Sequence, residues 1–482
     1  MSKAGPKVGK GERKPRVDCP VLQIVLPFEE EDGNSDAASA VEENRGQPSG
    51  AATPPEERSR RKRKWYSLYD KVFAAKNLRE AWRRVKENQG AAGTDGQSIA
   101  HFAEQEDANL AELELELREK RYRPRPVRRK EIPKEGGKVR RLGIPSVRDR
   151  IVQQAVAQVL GPIFEEKFSS RSHGFRPGRG CETALAVVDK ALRHGYEWIV
   201  EADISEFFDS VDHELLLAAV NEEVSDGSVL RLIRMFLESG IQMGGGEVEA
   251  TEVGTPQGGP LSPLLANIYL HALDVAMVEV KVGLVRYADD FVLLAKSREQ
   301  AEQGKETARQ VLERLRLRLH PEKTRVVAIG QGFDFLGYHY QRDGQGRLQK
   351  SVSAKSAKRF REAVRSRTKR HSGQRRPKAR CCTVGRLRKN QRVAGMIGEL
   401  NSYLLGWHGY FRGAQVTWRE YFDDFDRFVR HRLRCAITGR YAKGRWQQVL
   451  SNRMFDELGL LCLARLPRPR PTVLLHPLPG SG

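Results

Sequence analysis

The stretch Leu284-Val285-Arg286-Tyr287-Ala288-Asp289-Asp290-Phe291-Val292-Leu293-Leu294 constrains the fold more than any other in the chain. Two apolar runs of strand length flank a short polar step, a pattern that reads as a β-hairpin. Aspartate is disfavoured inside a strand and suits a turn, so both carboxylates are expected at the hairpin tip. A hairpin this apolar is expected to be buried on both faces, with two like charges held at its end. Such a pair costs free energy unless a cation neutralises it, and oxygen donors of this kind suit a hard ion such as Mg²⁺. Alone, Asp-Asp reads more simply as a solvated surface turn; the rest of the chain reverses that preference.

The chain has 482 residues, a formal net charge of +22 and a pI near 9.8. That length suffices for two or three domains with real cores. Residues 351–450 hold 25 Lys+Arg against 6 Asp+Glu, a net of +19. Almost the whole excess therefore sits in one segment, which points to a polyanion partner rather than to an evenly solvated surface. The six cysteines show no paired CxxC units: Cys381 and Cys382 adjoin, while Cys19, Cys181, Cys435 and Cys462 stand apart. This pattern suits a reduced cytosolic protein without a zinc site. No apolar run reaches the roughly eighteen residues of a membrane span, and the N-terminus lacks the apolar core of a signal peptide.

Residues 1–58 are rich in Lys, Glu, Gly, Ser, Ala and Pro and read as a disordered extension, interrupted by the apolar run Val21–Phe28. A basic cluster, Arg58–Lys64, follows and is read equally as nucleic-acid contact or solvated boundary. Folded structure begins near Trp65. Asn77-Leu78-Arg79-Glu80 has the form of a capped helix start. Gly136-Gly137 suggests a two-residue hairpin turn whose arms carry Lys134, Lys138, Arg140 and Arg141. A helix is expected from about 149 to 168, then the Gly-rich basic loop Ser172–Gly180, then a helix over about 182–192. The run 196–204 reads as a strand ending in Asp203, a second candidate for a buried carboxylate, and a helix starts near Asp212. Between the two carboxylate sites, Gly258-Gly259 removes side chains and would let a backbone pack against a flat ligand.

Together these strings resemble a family. Asp203-Ile204-Ser205-Glu206-Phe207-Phe208, Thr255-Pro256-Gln257-Gly258-Gly259-Pro260-Leu261-Ser262-Pro263 and Tyr287-Ala288-Asp289-Asp290 resemble the core motifs of reverse transcriptases, and more narrowly of bacterial group II intron reverse transcriptase/maturases. Ile132-Pro133-Lys134 with Arg140–Pro145 and Asp149-Arg150, then Gly174–Pro177, then Phe333–Tyr338 are similar to further segments of that family in the expected order. The resemblance covers roughly residues 65–440 and implies an α+β fold: reverse-transcriptase fingers and palm with an antiparallel palm sheet, followed by an α-helical thumb (the maturase domain, domain X). The implied segments are a disordered extension (1–58), fingers and palm (59–345), a basic connector (346–392), the maturase/thumb domain (393–445) and a tail (446–482).

The resemblance also implies the chemistry. A primer 3′-OH attacks the α-phosphate of a dNTP, and two Mg²⁺ ions about 3.5–4 Å apart stabilise the attacking and leaving oxygens. Asp203 and Asp289 would bridge these ions and Asp290 would support them. Lys134 and Arg140 would hold the triphosphate. Phe208, five residues after Asp203, would lie beneath the sugar and clash with a ribose 2′-OH. Gln257 and Gly258 would line the nucleotide and template side. Lys323 is a candidate proton donor to pyrophosphate, or equally a surface lysine.

Downstream, 350–392 is basic with almost no apolar content and reads as phosphate-binding surface or a partly disordered insert. From Ile397 a helical bundle begins, its aromatics mostly core. Arg386, Arg388, Lys389, Arg392, Arg430, Arg432 and Arg434 are the expected RNA-binding residues. His408 and His431 lack neighbouring ligands and read as structural. No Cys/His-rich endonuclease segment follows the thumb, so none is expected. The expected partners are group II intron RNA, an RNA template, a DNA primer and dNTPs, with no membrane. The expected place is the bacterial cytosol, at the nucleoid when acting on DNA. A splicing-only maturase with a silent polymerase site, and a host-adopted reverse transcriptase serving repair or defence, remain as alternatives.

Overall fold

The computed structural model describes residues 64–133, 139–243, 246–251, 253–255, 258–369, 382–414, 418–439 and 445–467. Its main elements, in chain order, are α1 (Ala75–Asn88), β1 (Val127–Pro133), β2 (Val139–Ile144), α2 (Val147–Glu165), α3 (Cys181–Arg193), β3 (Trp198–Asp203), α4 (His213–Asn221), α5 (Ser262–Glu279), β4 (Gly283–Tyr287) and β5 (Asp290–Ala295). There follow β6 (Arg325–Ala328), β7 (Phe333–Phe335), β8 (Tyr338–Arg342), β9 (Leu348–Val352), α6 (Ala354–Arg367), α7 (Gln391–Phe411) and α8 (Trp418–Thr438). These form two compact units. The first holds the described residues up to Ala186, with 204–289 and 307–318; the second holds 187–203, 290–306 and 319 onward. The units interleave along the chain.

In the first unit, Leu78, Ala81, Trp82 and Val85 of α1 recur at three- and four-residue steps and are buried, the stripe by which an amphipathic helix covers a core. That stripe packs on α2. The helix does not start at Asn77. Asn77 lies inside α1, where its side-chain amide donates to the Val72 and Ala155 carbonyls, so a half-buried tertiary bond replaces the expected cap. Ser146 caps α2 by accepting from the Asp149 amide, and Asp212 caps α4 by accepting from the Leu215 amide. Strands β1 and β2 pair antiparallel, as the hairpin reading requires, and their register closes at Pro133↔Val139. The turn expected at Gly136-Gly137 lies outside the described residues.

In the second unit, β3 pairs antiparallel with β5 (Trp198↔Ala295 to Asp203↔Asp290) and with β6. Ile199, Val200 and Ala202 of β3 and Phe291 to Leu294 of β5 are buried, as continuous apolar strands must be. Strands β7, β8 and β9 form an antiparallel meander. The segment read as a connector poor in apolar residues begins with β9 and α6, and α6 buries Ala357, Phe360 and Val364. Phe360 lies 4.6 Å from Trp407 and 4.7 Å from Phe425 between ring centroids, and Trp407 lies 4.9 Å from Phe425. Such pairs add about 0.5–1.5 kcal/mol each beyond their buried area, so the aromatics at helical spacing are core. Among the described residues no helix is long and apolar enough to cross a membrane.

Candidate active site and nucleic-acid interface

Asp203 is the last residue of β3 and stands opposite Asp290, the first residue of β5. The apolar ladder behind them fixes this register, because a one-residue slip would turn its buried side chains outward. The carboxylates are not buried, as the apolar flanks suggested: Asp203 is about one-third exposed and Asp290 is exposed. The strand ends here, and its last polar residues reach solvent. Lys323 pairs its ammonium with the Asp203 carboxylate. Its loop is placed by the His320 amide, which donates to the Asp203 carbonyl at 2.8 Å. Lys323 thus sits at the carboxylate site.

Between β4 and β5 the chain turns at Ala288 and Asp289, with Ala288 at φ 59°. Arg286, wholly buried, lies behind this turn. Its guanidinium donates to both oxygens of buried Asp274 (2.7 and 2.6 Å), to Asn267 Oδ1 (3.0 Å) and to the Ala288 carbonyl (3.0 Å). Burial raises the Asp274 pKa, but the Arg286 charge and bonds outweigh it, and the carboxyl lies below its usual value. None of these three residues was singled out from sequence. The available signal was a charge inside each of two apolar runs, Arg286 in β4 and Asp274 in α5, since a buried arginine needs a buried acid.

Phe208 is half-buried, edge-to-face on Phe207 at 5.0 Å. It lines a cleft with Arg129, Arg141, Leu142, Gly143 and Thr255. The glycines of the 258–259 step lie close against protein backbone and side chain. A Cβ on Gly258 would lie 2.7 Å from the Gly143 carbonyl, and one on Gly259 would collide with the Gln153 amide. Gly258 thus lets β2 approach. Arg140 sits in β2 opposite Ile132. Lys134 and Gln257 lie outside the described residues. In the Gly-rich basic loop, Arg176 is buried against Glu165 and the Ser169 and Ser172 carbonyls, so this cation holds the loop and is not offered to phosphate.

The seven expected RNA-binding cations divide. Arg386, Arg388 and Lys389 are exposed. Arg392 is half-buried, as is Arg432, which donates to Thr368. Arg430 and Arg434 are corrections: both face the core. Arg430 donates to Asp456 at 2.9 Å. Arg434 donates to the Leu450 carbonyl and Asn452 and lies over the Phe455 ring, and burial lowers its pKa. Their helix, α8, needs its inner face closed, and these arginines satisfy buried acceptors there. His408 is buried, with its pKa lowered by burial. Among the described residues no group of three His, Cys, Asp or Glu side chains is gathered to hold a metal by itself.

The chain matches the family "Reverse transcriptase (RNA-dependent DNA polymerase)" over residues 132–340 and "Group II intron, maturase-specific domain" over residues 374–454. Protein YkfC of Escherichia coli K12 is 35% identical over 328 residues, which span 59% of this chain and 86% of that protein. The group II intron-encoded protein LtrA of Lactococcus lactis is 31% identical over 343 residues, spanning 57% of this chain and 56% of that one. A chain of a solved partial Cas6-RT-Cas1–Cas2 complex covers 52% of this chain and 42% of its own at 26% identity, with a TM-score of 0.33, too loose a likeness to carry an argument. The two domain matches and the span shared with YkfC agree: the chain belongs to the group II intron reverse transcriptase/maturase family, whose polymerase domain copies RNA into DNA in dependence on a divalent metal.

Proposed function

We propose that the chain extends a DNA primer on an RNA template with dNTPs and Mg²⁺, and that it binds group II intron RNA to aid its folding and splicing. The observation that carries the polymerase reading is Asp203 opposite Asp290 at the open end of a buried ladder, with Asp289 next in the chain. Acids facing each other across a ladder repel, and a cation relieves that repulsion. The donor set fits Mg²⁺, which is commonly held by one or two carboxylates together with substrate phosphates rather than in an all-protein cage. Asp203 and Asp289 would be the main ligands and Asp290 the supporting one. When bound, the two ions supply Lewis-acid stabilisation of the attacking and leaving oxygens.

The chain's own residues do the rest. Lys323, beside Asp203, would neutralise that carboxylate before substrate binds and would give a proton to the departing pyrophosphate. Phe208 would bear on the sugar and disfavour a 2′-OH, while Lys134, Arg140, Gln257 and Gly258 would border the nucleotide. Arg386, Arg388 and Lys389, with the half-buried Arg392 and Arg432, would contact intron phosphates. The test is primer extension on an RNA template by the full chain. Wild type should extend with dNTPs and Mg²⁺, and Asp289→Ala should not, with RNA affinity retained. Extension by Asp289→Ala at the wild-type rate would refute the carboxylate assignment. The splicing-only reading predicts no extension by wild type.

A further inference from the structure

Ala288 occupies left-handed backbone space, which an L-residue other than glycine enters at a cost of roughly 1–3 kcal/mol. Such a residue persists only where its surroundings over-determine it. Three groups of the first unit do so here. The Gly174 backbone lies against the Ala288 amide, where a Cβ would come within 2.5 Å. The His173 amide donates to the Arg286 carbonyl, and the Arg286 amide donates to the Arg171 carbonyl, both at 2.9 Å. The Arg286 side chain then folds back and donates to the Ala288 carbonyl, the peptide that leads into Asp289.

The guanidinium does this from a fixed position. Asp274 grips two of its nitrogens, and Asn267 accepts from the third while giving its own amide to the Gly174 carbonyl at 2.8 Å. One planar fork thus ties α5, the loop ahead of α3 and the turn together. A lysine has three donors on a single atom and cannot span the same acceptors. Stability alone is a poor explanation for the charges, because a buried ion pair is often replaced by apolar side chains without loss.

We propose that Arg286 is a positioning residue for the polymerase reaction, and that with Asp274 and Asn267 it holds the Ala288–Asp289 peptide so that the Asp289 carboxylate is presented in one orientation. The inference rests on the reading of Asp289 as a metal-holding carboxylate. It separates Arg286 from residues that act on substrate, since the side chain is sealed from solvent and reaches the reaction only through the turn.

The test uses the full chain and two variants, Arg286→Lys and the double replacement Arg286→Met with Asp274→Leu. Five quantities are read: kcat and KM for dNTP in primer extension, RNA affinity, thermal melting, and Mn²⁺ binding followed by electron paramagnetic resonance without nucleic acid. Misplacing a reacting group by about 1 Å costs on the order of a hundredfold in rate. Both variants should therefore lose between roughly ten- and a hundredfold in kcat and bind Mn²⁺ more weakly, with KM, RNA affinity and, in the double variant, melting close to wild type. Wild-type kcat and Mn²⁺ binding in either folded variant would overturn the proposal. So would a kcat loss accounted for by the unfolded fraction. If the double variant fails to fold, Arg286→Lys alone decides. Asp289→Ala runs beside them: if it extends primers normally, the reading of the site has failed rather than the role of Arg286.

Discussion

The turn after β4 and the helical region after β9 both depend on arginines and use them oppositely. Behind the turn, one guanidinium is wholly buried and each of its nitrogens donates to a named acceptor, Asp274, Asn267 or the Ala288 carbonyl. In the helical region cations are abundant, and Arg386, Arg388 and Lys389 stand in solvent while Arg430 and Arg434 close the core. A buried cation acts through geometry, because it must be matched bond for bond. An exposed cation acts through number, because phosphate contacts release counterions and do not require fixed partners. Charge density alone therefore locates the polyanion surface but does not tell which of its cations serve it.

The comparison can be broken most decisively at the carboxylates. Asp289→Ala should lower primer extension by about a hundred- to a thousandfold, the scale seen for loss of a group that stabilises transition-state charge, whereas no single exposed cation of the helical region should approach that. A single-turnover assay decides.

Within the helical region, Arg430→Ala should lower stability by about 1.5–3 kcal/mol, because it removes the charge-assisted bond to half-buried Asp456 and the cation 3.8 Å from buried Asp426. Arg386→Ala should stay within about 0.5 kcal/mol of wild type. Denaturant unfolding followed by the Trp407 environment measures both; equal values would remove the distinction between buried and exposed arginines.

Gly174→Ala sharpens the other side. The added methyl meets backbone at the Ala288 amide and cannot be accommodated by a rotamer change, so the turn must shift. A loss of roughly ten- to a hundredfold in kcat is expected, with intron-RNA affinity unchanged. Unaltered kcat would show that the turn tolerates displacement.

Replacing Arg386, Arg388 and Lys389 together by Gln should weaken intron-RNA binding and reduce the slope of log K against log[salt] by about two units, at roughly 0.7–0.9 per phosphate contact. Extension on a saturating short primer–template should be nearly unaffected. An unchanged slope in a salt titration would move the RNA surface elsewhere.

The smallest effect is expected at Phe208→Ala. Relative use of rNTPs over dNTPs should rise by several-fold, within the roughly 1–3 kcal/mol that shape discrimination in a pocket supplies. Single-nucleotide incorporation reads it, and a constant ratio would place sugar selection on another residue.

Local patterns in the sequence determined a good deal about this protein. Largely apolar runs marked β3, β4 and β5, apolar residues at three- and four-residue steps marked α1 and α2, and Asp212 marked a helix start, because backbone geometry and short-range caps act within a few residues. The order of Asp203, Gly258-Gly259 and Asp289-Asp290 marked the family. Tertiary contacts decided the rest. Asn77 left its expected cap for the Ala155 carbonyl, 78 residues away. Gly258 lets the β2 backbone approach, a contact that its place in the chain did not announce. Arg430 and Arg434 turned inward, though their immediate neighbours read no differently from those of Arg432. Arg286 became the brace of a turn whose carboxylates alone had been legible. Each depends on which acceptor or backbone lies across the fold, and a buried polar group takes its role from that distant partner rather than from its own place in the chain.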